Sequence, residues 1–288
     1  MKKKIFLPLV LIVLLLVALV ILRNNGWVLI SKIAGILAML VAAVTIVRWV
    51  KYSQYVKGKP GRIILGVNDR YWLAEHIAFY RKLKGEDKKV FEDRVGLFLS
   101  DIIVTEIGKE VPEKSTCFYV ASSAVIAYWG LPYWNYGRLS EVLVYPTNFT
   151  DENALDVKGN VLGKVHHGGL MDTTMILSLP ALIDGFRRHN DHQNVGIHEF
   201  SHLVDKADGS FDGVPVGMNH DDETHWLKLV ELEMERIEEG KSDINPYGAT
   251  NKAEFFAVIV EYYKESPETL KQKHPGLFDI LDRYYHTN

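Results

Sequence analysis

Two histidines and a glutamate form the strongest candidate for chemistry in this sequence, in the pattern H-E-F-S-H at residues 198–202. On a helix, residues four apart share a face, so His198 and His202 can present two imidazole nitrogens to one metal ion. Glu199 follows the first histidine and points beside that ion, where its carboxylate can take a proton from a metal-bound water. The pattern predicts a catalytic metal site, and the alternative is an ordinary polar face of a helix.

A catalytic zinc site of this kind needs a third protein ligand. In one arrangement a glycine ends the helix three residues after the second histidine and a further histidine follows, but these two positions hold Asp205 and Asp208. In the other arrangement a later helix supplies a glutamate, and Glu254 and Glu261 lie seven residues apart on one face of an apolar stretch. A carboxylate there is costly unless it is paired or binds a metal. Both glutamates are therefore candidates, with a salt bridge to a neighbouring helix as the alternative for each.

Three further features are weaker candidates. Asp205 comes about one turn after the second histidine, and we expect it either to support the metal site or to anchor the end of the helix. The sequence H-H-G-G at 166–169 precedes a predicted strand that could pair with an extended substrate, and the alternative is a plain turn. The His and acidic cluster at 220–225 is more typical of a solvated helix start than of a metal site.

The elements that must position these residues are predicted from hydrophobic periodicity, which indicates an α+β domain that is mostly helical with a small sheet. Ser115 is the predicted N-cap of the third helix, and the metal-binding pattern opens the fourth. Helices are predicted at 71–83, 88–107 and 116–129, from residue 195, around 225–239 and from residue 252. Strands are predicted at 141–145, 156–165 and 170–179.

Charge divides the chain into two parts, although the net charge of all 288 residues is only −3. Residues 1–62 hold ten Lys and Arg and no acid, whereas residues 63–288 hold 23 basic and 36 acidic residues, a net charge of −13. The acidic part argues against nucleic acid as a partner. A hydrophobic content of 48% excludes a disordered chain, and the single Cys117 excludes a disulfide scaffold.

The basic part is predicted to be a membrane anchor within residues 1–50. Residues 5–22 are an uncharged apolar run, residues 27–47 contain one charge, Lys32, and a polar turn joins the two. Both runs approach the length of about 20 residues that a helix needs to cross a bilayer. Two transmembrane helices are the main prediction. The alternatives are one transmembrane span followed by an interfacial helix, or a cleaved signal peptide.

The distribution of basic residues predicts the orientation of this anchor. Three lysines precede the first apolar run and five basic residues occupy positions 48–62, against Arg23 alone in the turn. By the positive-inside rule both ends then face the cytoplasm. We expect a multi-pass protein of the inner (cytoplasmic) membrane, with a basic linker at 51–69 and a metallopeptidase domain at 70–288.

Several motifs together resemble the zinc-dependent peptidases of the Mlc titration factor A type, peptidase family M90. They are N-V-G-I-H-E-F-S-H-L-V-D at 194–205, D-G-V-P at 212–215, P-Y at 246–247, A-E-F-F-A-V at 253–258 and K-H-P-G-L at 273–277, and the resemblance covers about 70–286. These peptidases are similar in fold to the catalytic domain of anthrax lethal factor, which implies a zincin-like (gluzincin) fold.

The resemblance also implies roles for individual residues. His198, His202 and Glu254 would bind one Zn²⁺ per chain, Glu199 would be the general base and acid, and the Tyr247 hydroxyl would donate to the tetrahedral intermediate. The resemblance implies a zinc metallopeptidase with aminopeptidase-like activity on a peptide or protein substrate. The predicted membrane anchor adds the lipid bilayer as a partner, and it departs from the family's pattern, because the family members that it resembles are soluble cytoplasmic proteins. The function expected from both is that of a membrane-anchored zinc metallopeptidase. The alternative is a protein-binding regulator that sequesters a repressor, with the zinc mainly structural.

Overall fold

A computed structural model describes residues 63–131, 134–147, 163–165, 173–188 and 193–286. The predicted transmembrane segments, 5–22 and 27–47, and the predicted turn at 166–169 lie outside these residues. Within the described ranges, every helix is either too short or too polar to cross a bilayer.

Ten α-helices and four strands make up the described part of the chain, in the order α1, α2, α3, β1, α4, β2, β3, β4, then α5 to α10. The strands are β1 Ile103–Glu106, β2 Glu141–Tyr145, β3 Gly163–Val165 and β4 Thr174–Ser178. The first five helices are α1 Val67–His76, α2 Ala78–Lys82, α3 Glu86–Asp101, α4 Lys114–Ala127 and α5 Leu179–Arg187. The others are α6 Val195–Asp205, α7 His220–Glu238, α8 Lys252–Glu265, α9 Pro267–Lys273 and α10 Pro275–His286, with 3₁₀ turns at Lys206–Asp208 and Pro246–Ala249.

The four strands form one sheet in the order β1-β2-β4-β3. β1, β2 and β4 are parallel, with Val104 opposite Val142 and Leu143 opposite Ile176, and β3 pairs antiparallel with β4. The strand predicted at 141–145 is confirmed over its whole length. Those predicted at 156–165 and 170–179 are confirmed over the shorter spans of β3 and β4.

The predictions for the first two helices were partly wrong. The helix predicted at 71–83 is interrupted at Ile77, which has an extended backbone (φ −110°, ψ 96°). The helix predicted to reach residue 107 ends at Asp101, because Ile103, Val104 and Thr105 are β-branched and pair with β2 as a strand. Ser115 is not the cap of α4; that helix begins at Lys114, and Glu113 is its N-cap.

A further correction concerns the path from β4 to the metal-binding pattern. Pairing of this strand with a substrate was one of the two alternatives for 166–169, but β3 covers the edge of β4, and α5 lies between β4 and the metal-binding helix. α5 begins directly after the strand because Ser178 caps it, accepting a hydrogen bond from Ala181 N at 3.3 Å, and a proline occupies its first turn.

The helix α6, which carries the H-E-F-S-H pattern, lies in the interior of the domain. It packs against α8 on one side and α4 on the other. Contact with α4 is close because Gly196 has no side chain, and a Cβ there would collide with Ser123 and lie 2.7 Å from Leu182 Cδ1. Phe200 is fully buried and meets Phe98 edge to face, with ring centroids 5.6 Å apart. Burial of such a ring contributes about 3 kcal/mol, so packing on several sides fixes this helix.

Candidate metal centre

The two histidines of the predicted site lie on one face of α6. Asn194 caps the helix, its side-chain oxygen accepting a hydrogen bond from Ile197 N at 3.1 Å. His198 and His202 follow one turn apart, and their rings are perpendicular with centroids 4.8 Å apart. Both side chains are buried, so the cap and the surrounding core determine where their nitrogens point.

Glu254 reaches both histidines from the first turn of α8. Asn251 caps this helix by accepting from Glu254 N at 3.0 Å. The Glu254 Oε2 atom lies 2.9 Å from His198 Nε2 and 3.3 Å from His202 Nε2. Burial alone would raise the pKa of Glu254, but the hydrogen bonds from the two imidazoles outweigh burial and hold it well below its usual range. The carboxylate is therefore an anion at neutral pH.

The donor set fits a divalent metal ion. One ligand atom from each of His198, His202 and Glu254 lies within 4.8 Å of the others, and within the described residues no other group of His, Cys, Asp and Glu has this arrangement. Two imidazole nitrogens and one carboxylate oxygen are the protein ligands of many catalytic zinc sites, which keep one position open. We expect an ion to bind between these three atoms.

Glu261 supports the first histidine instead of joining the three donor atoms. Its Oε1 atom lies 2.7 Å from His198 Nδ1, and its Oε2 atom accepts a hydrogen bond from Asn194 N at 2.5 Å. Burial raises the pKa of Glu261, although the charge of His198 opposes this rise. A carboxylate on Nδ1 fixes the ring so that Nε2 faces the metal position. The salt bridge that was the alternative for Glu261 thus exists, and its partner is the metal-binding helix.

Glu199 directly follows the first histidine of the pattern and has the properties of a proton acceptor. Only 6% of its surface is exposed. Burial raises its pKa, the two histidines oppose this rise, and the negative charges of Glu254 and Glu261 add to it. A carboxylate with a raised pKa holds a transferred proton more readily than an ordinary glutamate does.

Tyr247 lies on the outer side of the centre. It belongs to the 3₁₀ turn Pro246–Ala249, its ring centroid is 5.8 Å from that of His198, and 53% of its surface is exposed. Burial of the hydroxyl, together with the charges of Glu254 and Glu199, raises the pKa of Tyr247 to about 12. The hydroxyl is therefore protonated at neutral pH and can donate a hydrogen bond into the centre.

Asp205 anchors the loop that follows the metal-binding helix. It is fully buried, and its Oδ2 atom accepts a hydrogen bond from Gly213 N at 3.2 Å. Gly213 has a φ of 78° and contacts the backbone of Lys252, so a larger residue would not fit, and its carbonyl accepts from Trp226 Nε1 at 2.8 Å. The hydrogen bond from Gly213 N is consistent with the role of Asp205 as an anchor at the end of this helix.

Phe211 was not identified from the sequence. Its ring centroid lies 5.1 Å from that of His202, and 38% of its surface is exposed. The only sequence signal was an aromatic residue in a polar loop. The cluster at 220–225 has the predicted character of a helix start, since Asn219 caps α7 and the first turn is acidic.

The chain is similar in sequence to a known family and to several curated proteins. The family model described as Glucose-regulated metallo-peptidase M90 matches residues 64–286. A protein of Synechocystis sp., described as uncharacterized, is 29% identical over 223 residues, which cover 74% of this chain and 81% of that protein.

Two curated relatives share the description Mlc titration factor A. The protein from Pectobacterium atrosepticum is 28% identical over 159 residues, covering 50% of this chain and 58% of that protein. The protein from Escherichia fergusonii is 27% identical over 163 residues, covering 51% and 59%. The chain thus matches somewhat more than half the length of these two relatives.

Proposed function

Because the chain belongs to the glucose-regulated metallo-peptidase M90 family, we propose that it hydrolyses peptide bonds with one zinc ion bound by His198, His202 and Glu254. The observation that carries this proposal is the convergence of the three ligand atoms beside a buried glutamate. A structural zinc site would need neither that glutamate nor a tyrosine hydroxyl next to it.

The residues divide the chemistry among them. When bound by His198, His202 and Glu254, zinc would supply Lewis acidity to water and to a substrate carbonyl. Glu199 accepts the proton of the attacking water and later gives it to the leaving amine. Tyr247 donates a hydrogen bond to the oxygen that becomes negative during attack, and losing one such donor typically costs about a hundredfold or more in turnover. Glu261 keeps the His198 ring in place.

We propose aminopeptidase-like cleavage of short peptides as the specific activity. The net charge of −13 on residues 63–288 supports a preference for positively charged substrates, including free amino termini. Profiling with peptide libraries that carry free or acetylated amino termini tests this preference. Equal cleavage of both libraries would contradict it and would indicate endoproteolysis.

The main test of the mechanism is Glu199→Gln. The change keeps the size of the side chain and removes the proton acceptor, so we expect stoichiometric zinc and a loss of hydrolysis of about a thousandfold. Glu268→Gln, at an exposed position, is the matched control and should have no effect. Unchanged hydrolysis in Glu199→Gln would rule out the proposed mechanism.

The proposed location is the inner membrane, with the catalytic domain in the cytoplasm. Its support is the pair of apolar runs at 5–22 and 27–47 and the basic residues that flank them. A reporter fused to the C-terminus tests the orientation, and a periplasmic signal would contradict it.

A second candidate function is binding of a regulatory protein. It is favoured by the description of two relatives as Mlc titration factor A. A binding role does not depend on proton transfer, so Glu199→Gln should leave it intact while abolishing hydrolysis.

A further inference from the structure

A buried ionic cluster lies at the start of the segment that carries Tyr247. At its centre is His274, from the K-H-P-G-L motif, with 6% of its surface exposed. The ring lies between two carboxylates: Nε2 is 2.7 Å from Asp243 Oδ1, and Nδ1 is 3.3 Å from Glu233 Oε1. The proposed mechanism uses none of these three residues.

Asp243 is the residue on which this cluster converges. Besides His274, its Oδ2 atom accepts hydrogen bonds from Tyr262 Oη and Lys273 Nζ, each at 2.7 Å. Burial would raise the pKa of Asp243, but these three donors outweigh burial and hold it well below its usual range. Because an ionised carboxylate only accepts hydrogen bonds, His274 Nε2 is the donor in its contact with Asp243.

Glu233 fixes the residue next to Asp243. Its Oε1 atom accepts a hydrogen bond from Ser242 Oγ at 2.6 Å, and Ser242 Oγ accepts one from Ile244 N at 3.3 Å. Ile244 is itself buried in the core. The two carboxylates beside His274 therefore hold three consecutive residues, 242–244, in one arrangement.

The held residues lead directly to Tyr247. Asn245 continues the chain, its side-chain oxygen accepting from Tyr247 N at 3.0 Å and its carbonyl from Gly248 N at 2.9 Å. The tyrosine side chain is half exposed, so core packing does not determine its position. Its position depends instead on the backbone of the turn, which packs against α8 near Val258 and whose preceding residues are held at 242–244.

One helix joins this cluster to the metal centre. α8 carries Glu254 and Glu261 at the centre, and it carries Tyr262, which donates to Asp243. The bond from Tyr262 thus connects the Tyr247 segment to the same rigid element that supplies the third ligand. A displacement of Asp243 would move Tyr247 relative to the ligands without moving the ligands themselves.

We infer that the pair Asp243 and His274 is a positioning unit that places the Tyr247 hydroxyl over the metal centre. The inference rests on the proposed function, because it requires Tyr247 to act in hydrolysis. It assigns a role to a motif, K-H-P-G-L, that touches no ligand atom.

A double-mutant cycle in the full chain tests this inference. Asp243→Asn, Tyr247→Phe and the double variant are compared by kcat, KM, zinc content and circular dichroism. In the otherwise unchanged protein, Asp243→Asn should lower kcat roughly tenfold and leave KM and zinc content nearly unchanged. In the Tyr247→Phe background the hydroxyl to be positioned is already absent, so the same change should lower kcat by less than about twofold. His274→Gln keeps a donor towards Asp243 and should retain most of the activity.

The matched control is Asp282→Asn. Like Asp243, Asp282 accepts a hydrogen bond from a tyrosine on α8, here Tyr263 at 3.0 Å, and it lies 3.2 Å from a histidine, His286. Neither of these two contacts involves the segment that carries Tyr247. We expect its small effect on kcat to be the same in both backgrounds. If Asp243→Asn does not fold, Tyr262→Phe and Lys273→Met each remove one donor and enter the same cycle.

The outcomes separate this inference from the proposed function. An equal loss for Asp243→Asn in both backgrounds would overturn the positioning role and leave the peptidase mechanism intact. A fully active Tyr247→Phe would overturn both the role of Tyr247 and this inference, whereas the Glu199→Gln test would still stand.

Discussion

At the residue scale, the orientation of one imidazole determines whether the centre can bind a metal. His198 has two ring nitrogens, and only Nε2 lies beside Glu254 and His202. Glu261 accounts for this orientation of the ring, because its Oε1 atom lies 2.7 Å from His198 Nδ1. The Glu261 carboxylate is itself held by a hydrogen bond from Asn194 N to its Oε2 atom. The first histidine is thus oriented before any ion arrives.

Glu261→Gln is therefore expected to weaken zinc binding. The glutamine amide has only one oxygen, so it cannot accept hydrogen bonds from both His198 Nδ1 and Asn194 N in the way that the carboxylate does. The His198 ring then loses its fixed orientation. Loss of such a partner typically costs about 10–100-fold in metal affinity. Competition with a fluorescent chelator measures this affinity. Glu268→Gln serves again as control, and equal affinities would exclude a supporting role for Glu261.

At the element scale, α6 owes its position to close packing against α4. The space between the two helices is set by Gly196, where any side chain would collide with Ser123. The glycine lies two residues before the first histidine, so a shift of the helix at this point moves the ligands as well.

We expect Gly196→Ala to destabilise the protein by about 2 kcal/mol, since added atoms in a packed interior force neighbouring elements apart. Zinc affinity should fall with it. Urea unfolding of the metal-free protein measures the loss of stability. Ser201→Ala on the same helix adds no atoms and removes only a hydrogen bond to its own helix, at 2.7 Å to Ile197 O, so it should change stability little.

The cluster around Asp243 connects three helices and should make stability depend on pH. Because the folded protein lowers the pKa of Asp243, its contribution is complete above the unfolded pKa of about 4 and is lost as the pH falls below that value. Asp243→Asn should then cost about 2 kcal/mol at pH 7 and progressively less as the pH falls below about 4. Urea unfolding of metal-free protein across this pH range measures this, and a cost independent of pH would contradict it.

The sequence predicted the elements with strong periodicity and failed where partners are distant. α6 and α8 were predicted because their apolar residues recur at helical spacing over several turns. β1 was missed because four β-branched and polar residues following a helix look like its continuation, and only pairing with β2 makes them a strand. The partner of Glu261 could not be predicted, since His198 is 63 residues away in sequence.

At the scale of the whole molecule, the three expected metal ligands lie within the part of the chain that the family model covers. These ligands and their supports come from α6, α8 and the turn between α7 and α8, and the family model begins at residue 64.

Removal of the metal should lower the thermal stability of the whole domain. An ion bound by α6 and α8 stabilises only the folded state, by about 4 kcal/mol when free zinc is a thousandfold above its dissociation constant. A chelator should therefore lower Tm in scanning calorimetry, and zinc should restore it. Glu254→Ala should show the lower Tm in both conditions, and an equal response to chelator in this variant would place the ion elsewhere.

The position of the third ligand also has a consequence for how the protein is made. His198 precedes Glu254 by 56 residues, and the positioning motif with His274 comes later still. A growing chain on the ribosome therefore carries both histidines and Glu199 well before it carries the carboxylate that completes the centre. The three ligand atoms can therefore come together only after Glu254 has been synthesised and α8 has packed against α6.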